Sequence, residues 1–159
     1  MTTMAREART ERADTTELRI RRGRRTDYEP LAALGGWAGV EGDTRRSIRM
    51  FRRVVADLGC DLYVADENGD PIGLVTVSYT RVLALGGPRA VLDDLVVRED
   101  RRGAGVGRRL LDFALRRARK RGVKSFWAVP ADERARRFLE RSGFRTAAQC
   151  CEWRPETGG

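Results

Sequence analysis

A chain of 159 residues with 41% apolar side chains has the size of one domain and enough apolar surface for one sheet covered by helices. It contains no histidine, which excludes Ser-His and Cys-His nucleophile pairs and the commonest zinc and iron sites, so no metal site is expected. Its three cysteines (Cys60, Cys150 and Cys151) suit neither a disulfide framework nor a CxxC site and read as reduced thiols, while the net charge of +9 favours an anionic ligand.

Residues 1–16 are polar, of mixed charge and without apolar period, and read as a disordered lead-in to a single domain over 17–159. This charged start lacks the apolar block of a signal peptide, and no window reaches the ~18 uninterrupted apolar residues of a membrane span, so a cytoplasmic protein without a membrane partner is expected. Glu17 to Arg22 predicts a first strand, and Asp27 to Leu34 a helix that Gly35-Gly36 ends. Asp43 or Thr44 caps the next helix, whose apolar face is expected at Ile48, Phe51, Val55 and Leu58. Asp61 to Asp66 and Ile72 to Leu85 flank Asn68-Gly69 and predict a hairpin with a type I′ turn.

Ala90 to Val97 is a near-continuous apolar run and predicts a central strand buried on both faces. A helix follows to about Arg121, with Leu110, Leu111, Ala114, Leu115 and Ala118 inward, and then a strand over Lys124 to Val129. Together these make a parallel β-α-β unit. A helix capped by Asp132 and a last strand over Thr146 to Arg154 complete an α/β fold (α+β by some schemes) with a mixed sheet flanked by helices.

The strongest chemical signal is the stretch Val97-Arg98-Glu99-Asp100-Arg101-Arg102-Gly103-Ala104-Gly105-Val106-Gly107-Arg108. Glycines at 103, 105 and 107 let backbone N–H groups turn inward at a helix start, whose dipole favours an anion. Arg102 and Arg108 add fork-shaped donors. Arg101 to Arg121 holds nine basic residues and one acid, Asp112, so the positive field is concentrated on this loop and helix. Gly107 is followed by Arg108-Arg109 rather than Lys-Ser/Thr, which rules against a nucleotide-hydrolase P-loop. The GxGxG pattern late in the chain does not match a dinucleotide fingerprint. A nucleic-acid role is not expected, since no helix-turn-helix or finger pattern accompanies the charge.

Val97 followed by Arg102-x-x-Gly105-x-Gly107 and Leu110-Leu111 resembles the coenzyme A signature of the GNAT superfamily of N-acetyltransferases. Ala135-x-x-Phe138-Leu139 through Gly143-Phe144 resembles that family's second signature, about 30 residues downstream. The resemblance covers roughly Asp61 to Phe144. It implies an acyl-CoA N-acyltransferase-like fold, with a sheet splayed centrally where the parallel strands end near Val97 and Val129. It further implies that acetyl-CoA is the cosubstrate, its pyrophosphate on Arg102, Gly103, Ala104, Gly105, Val106, Gly107 and Arg108. Pantetheine would lie along the backbone of Leu95, Val96 and Val97, with Asp132, Ala135 and Phe138 of the later helix contributing to the same cofactor site. The expected reaction is transfer of acetyl to a primary amine of a small molecule or peptide by direct attack in a ternary complex. A homodimer is expected only by analogy with the family.

Such a reaction needs a base, a donor to the developing oxyanion and a proton for the leaving thiolate. Asp93 and Asp94 are the candidate bases, and strand alternation is expected to turn only one of them to a given face. Asp93 matches the family's catalytic glutamate position. The backbone N–H of Val97 is the candidate oxyanion donor. Leu139 stands where the family has a tyrosine that protonates the thiolate, which leaves Tyr79 as the nearest replacement by chain order. Leu139 also keeps open a second reading, a coenzyme A-binding domain that has lost catalysis and senses the cofactor. Substrate choice is expected in Gly35 to Thr44, where Trp37, Glu41 and Asp43 could hold a cationic amine, and in the hairpin strands.

Overall fold

Strand β1 (Leu18–Arg22) lies antiparallel to β2 (Cys60–Glu67), with Leu18 opposite Glu67 and Arg22 opposite Tyr63. The computed structural model describes residues 17–35 and 43–147. β2 turns into β3 (Asp70–Val82) through Asn68 (φ 53) and Gly69 (φ 89), the two positive φ values that a type I′ turn requires. The turn is tied down by Gly69 N, which donates to Asp66 Oδ1 at 2.6 Å. β4 (Gly87–Val97) pairs antiparallel with β3. The strand order is β1-β2-β3-β4-β5.

Helix α3 (Val106–Lys120) carries the chain from the end of β4 to β5 (Ser125–Ala128). Lys124 N donates to Pro88 O at 2.9 Å, joining the start of β5 to the start of β4. The two strands therefore run the same way, and the sheet is mixed, as the sequence implies.

Each face of the sheet has its own apolar layer. On one, Leu62, Val64 and Leu74 meet Leu31 and Leu34, in and just after α1 (Tyr28–Ala32), and Phe51 of α2 (Thr44–Ala56). On the other, Tyr63, Ala65, Val75, Val77 and Ala90 meet Val106, Leu110, Ala114 and Ala118 of α3. Leu110 and Leu111 are fully buried, each contributing about 1.5–3 kcal/mol of transfer free energy. A Cβ on Gly73 would stand 2.9 Å from Val96 O and 3.2 Å from Leu110 Cδ1, so the bare glycine is what lets α3 approach β3.

Three expectations are corrected. Leu58 lies beyond the end of α2, in the turn before β2, and is 85% exposed. Phe51 is buried and Val55 packs against the core as expected, and Ser47 and Val54 join them on the buried side of α2. Among the described strands β3, not β4, is the middle one: Ile72 to Val77 is buried throughout, whereas most of β4 is half-buried. The hairpin's second strand stops at Val82, and Leu83–Leu85 is a 3-10 turn closed by left-handed Gly86.

The chain divides into two compact units, Met1–Trp127 and Ala128–Gly159. In the second, Asp132 caps α4 (Glu133–Arg141) by accepting from Ala135 N at 2.7 Å. Arg136 bridges Glu133 and Glu140 on the exposed side, and Gly143 (φ 90) follows the helix as a left-handed stop. Thr146 and Ala147 are not in a strand, and the rest of the expected last strand, with Cys150 and Cys151, lies outside the described residues, as does the lead-in 1–16.

Candidate active site

Thr76 stands opposite Asp94 in the β3–β4 ladder, but the next residue of β3, Val77, stands opposite Leu92. Asp93 is therefore an extra residue, and β4 carries a β-bulge at that point. The bulge cancels the alternation on which the sequence expectation rested. Thr76 Oγ1 donates to Asp94 Oδ2 at 2.6 Å and Ser78 Oγ donates to Asp93 Oδ1 at 3.1 Å. Thr76 and Ser78 share a face of β3, so both carboxylates lie on that face.

Both aspartates line a cavity of about 280 Å³. Helix α2 supplies Ser47, Met50, Phe51 and Val54, which recur at helical spacing along one stripe, and α1 supplies Tyr28. Cys60, Leu62 and Thr76 of the hairpin complete the wall. Most of these residues were not singled out in the sequence. The signal that could have found them is the stripe Ser47, Met50/Phe51, Val54, which shares Phe51 with the expected face through Ile48, Phe51 and Val55 but lies to one side of it.

The cavity wall removes part of the hydration of the Asp93 carboxyl, and the adjacent Asp94 charge adds repulsion. Together they raise its pKa above the ordinary carboxylate value, against Ser78 hydrogen bonds that favour the charged form. Such a shift moves a carboxylate toward competence as a base. The Cys60 thiol is pushed up by burial and then by the Asp57 charge, which disfavours the thiolate.

Tyr79 is not brought to this group. Its hydroxyl donates to Asp61 Oδ2 at 2.9 Å, and its ring lies 4.4 Å below the Arg121 guanidinium. Its side chain belongs to the α3 side of the sheet, opposite Ser78 and the two aspartates. Asp61 is fully buried and also accepts from Arg121 Nη2 at 2.7 Å. Burial and the Asp61 hydrogen bond drive the Tyr79 hydroxyl well above its ordinary pKa, so it is held as a structural donor.

The glycine loop follows directly from β4. Gly103 (φ 81) and Gly105 (φ 82) are left-handed, and a Cβ at either would meet nothing within 4 Å. The first helical hydrogen bond of α3 runs from Arg109 N to Gly105 O at 3.0 Å, so the amides of Gly105, Val106 and Gly107 precede the ladder at the positive end of the helix. Arg102 Nε donates to Val97 O at 3.2 Å and ties the loop to the strand end, and Arg108 pairs with Asp112 one turn on. These residues fit a pyrophosphate: amides ahead of the helical ladder, open space where side chains would stand, and arginine beside them.

Arg98 N donates to Ile72 O of β3 at 2.8 Å. Successive strand amides point to opposite edges, so the N–H groups of Val97 and Leu95 face away from β3, toward the β5 side.

The other candidates are accounted for locally. Asp43 is the N-cap of α2, accepting from Arg46 N at 2.8 Å. Trp37 and Glu41 lie outside the described residues. In α4, Asp132 is a cap, Ala135 and Phe138 are half-buried, and Leu139 is buried.

Residues 28–144 match the model of the acetyltransferase (GNAT) family, and the chain belongs to that family. Among solved structures, a putative acetyltransferase from Agrobacterium tumefaciens str. C58 is similar with a TM-score of 0.75 at 24% identity, covering 86% of this chain and 99% of its own. An acetyltransferase from Clostridium acetobutylicum, described as predicted and solved with acetyl-CoA, gives 0.72 at 17% identity, covering 87% and 96%. An aminoglycoside acetyltransferase from an uncultured soil metagenomic sample, in complex with sisomicin, gives 0.73 at 15% identity, covering 89% and 97%. At these identities the likeness establishes the fold. No curated protein matches the chain in sequence.

Proposed function

We propose that the chain is an acetyl-CoA-dependent N-acetyltransferase acting on a primary amine by direct attack in a ternary complex. The observation that carries this reading is the bulge at Asp93. It sets two carboxylates in one cavity, on the strand that runs directly into the glycine loop.

Acetyl-CoA supplies the activated acetyl thioester when bound. Gly103, Gly105, Val106 and Gly107 present backbone amides to its pyrophosphate, and Arg102 and Arg108 neutralise the remaining charge. The edge amides of Leu95 and Val97 pair with the extended pantetheine arm. Val97 N–H is the assigned donor to negative charge that develops on the thioester oxygen.

Asp93 Oδ2 takes a proton from the amine, directly or through one water, while Ser78 holds Oδ1 in place. Asp94, whose Oδ2 accepts from Thr76 Oγ1, offers the ammonium form a second carboxylate partner and so favours its binding. Nitrogen gives up two protons between bound ammonium and amide: Asp93 takes the first, which frees the lone pair, and passes it to solvent; a C–N bond then forms, the C–S bond breaks, and the second proton leaves nitrogen to Asp93. No side chain is assigned to protonate sulfur. Leu139 has no proton to give and Tyr79 faces the other side of the sheet, so that proton comes from solvent.

The test is thermal stabilisation by acetyl-CoA followed by thiol release across a panel of amines. Stabilisation with release supports the reading, stabilisation without release supports the sensor instead, and the absence of both overturns any coenzyme A role. In Gly105→Val, which places a branched side chain at φ 82 in the open cradle, the stabilisation is expected to disappear.

A further inference from the structure

The Asp93–Asp94 cavity has a composition that selects among amines. At about 280 Å³ it lies just below the small end of ligand pockets, which span roughly 300–1,000 Å³. Its walls are mainly apolar: Met50, Phe51, Val54 and Leu62, with the Tyr28 ring beside them. The two adjacent aspartates are the only charged residues among the described lining.

The helix that forms one wall has a strong charge bias. α2 carries Arg45, Arg46, Arg49, Arg52 and Arg53, all exposed, and no acid. A polycation approaching this wall meets a like-charged field that the two carboxylates do not cancel. A single ammonium faces the carboxylates at one end while its body displaces water from the apolar walls.

We infer that the acceptor is a monocationic amine on a compact apolar body, an arylalkylamine or alkylamine in chemical class, with Met50, Val54 and Leu62 gripping the body and the Asp93–Asp94 pair holding the nitrogen. The inference rests on the acetyltransferase reading and names its substrate class. Met50 is the specificity-determining position. It is 53% exposed, so it can be changed without opening the core, and it lies on the helix face that the body of the amine meets.

The experiment compares phenethylamine and hexylamine with spermidine and kanamycin, by thiol release from acetyl-CoA and by calorimetric binding to the full chain. The apolar amines are expected to have kcat/KM at least tenfold above the polycations and to bind at least tenfold more tightly. Met50→Glu is expected to lower kcat/KM for phenethylamine at least fivefold and narrow its advantage over spermidine, with stabilisation by acetyl-CoA unchanged. Equal or better turnover and binding of the polycations would overturn the inference, as would a Met50→Glu selectivity identical to that of the wild type. Tight binding of phenethylamine without thiol release from any amine would leave the cavity's ligand class standing and overturn the transferase reading. Failure of phenethylamine to bind, with thiol released from other amines, would do the reverse.

Discussion

Asp93 and Asp94 follow one another in β4, yet both carboxylates lie on the same face of the sheet, held by Ser78 and Thr76 of the neighbouring strand. A regular strand would send one of them toward α3. The bulge that prevents this also places the pair a few residues before the glycine loop, so the amine and cofactor sites proposed above belong to one continuous strand and loop.

Replacing the proposed base should separate binding from turnover. Asp93→Asn is expected to reduce kcat roughly 10²–10³-fold, within the usual range for a positioned general base, with acetyl-CoA stabilisation retained. Because loss of hydration and the Asp94 charge raise the Asp93 pKa, wild-type kcat/KM should climb as pH rises through that raised value, and Asp93→Asn should lose this limb. A steady-state pH profile of both proteins measures it.

The same shift predicts a stability effect of opposite sign. A carboxyl whose folded pKa lies above its unfolded value holds its proton more tightly in the folded state. Its contribution is then fully present below the ordinary value of 3.8 and is lost as pH rises through the folded value. Asp93→Asn, which cannot ionise, should therefore melt slightly above the wild type at pH 7, with the difference shrinking toward pH 4. Calorimetric melts at the two pH values test the sign.

Tyr79→Phe removes the hydrogen bond to buried Asp61 and leaves the Arg121–Asp61 pair in place. A bond to a charged partner contributes about 1.5–3 kcal/mol, or roughly 3–12 °C in Tm for a chain of this size. Because the ring lies on the α3 side, kcat should stay within about twofold of wild type. A tenfold loss of kcat with unchanged KM would return Tyr79 to the catalytic machinery.

Gly73→Ala puts a Cβ against Val96 O at 2.9 Å and Leu110 Cδ1 at 3.2 Å. Either β4 or α3 must move, at a cost of about 1–3 kcal/mol. Since Val96 adjoins the edge assigned to pantetheine, affinity for acetyl-CoA should weaken together with Tm, which a titration followed by melting temperature would register.

Much of the fold was legible because its signals are local. Asn68-Gly69 specifies a type I′ turn through the φ values those two residues tolerate, Asp43 and Asp132 cap through their own carboxylates, and Gly122 and Gly143 end helices with a left-handed residue. The 3.6-residue period exposed α3 correctly at Leu110, Leu111, Ala114 and Ala118, while Leu115, expected with them, is half-buried. It misjudged α2, where Leu58 continues the period on paper but falls beyond Asp57, whose extended backbone ends the helix.

The glycine loop was determined by the sequence itself, because glycines at alternate positions between a strand and a helix start leave the backbone amides as its chemistry, whatever surrounds them. The placing of the two aspartates was decided by tertiary structure alone. A bulge is a mismatch between two strands and is visible only once β3 and β4 are paired, and that pairing turns Asp93 beside Asp94 and draws Ser78 and Thr76 onto them. The same pairing sends Tyr79 to the far face, a side of the sheet that position along the chain cannot specify.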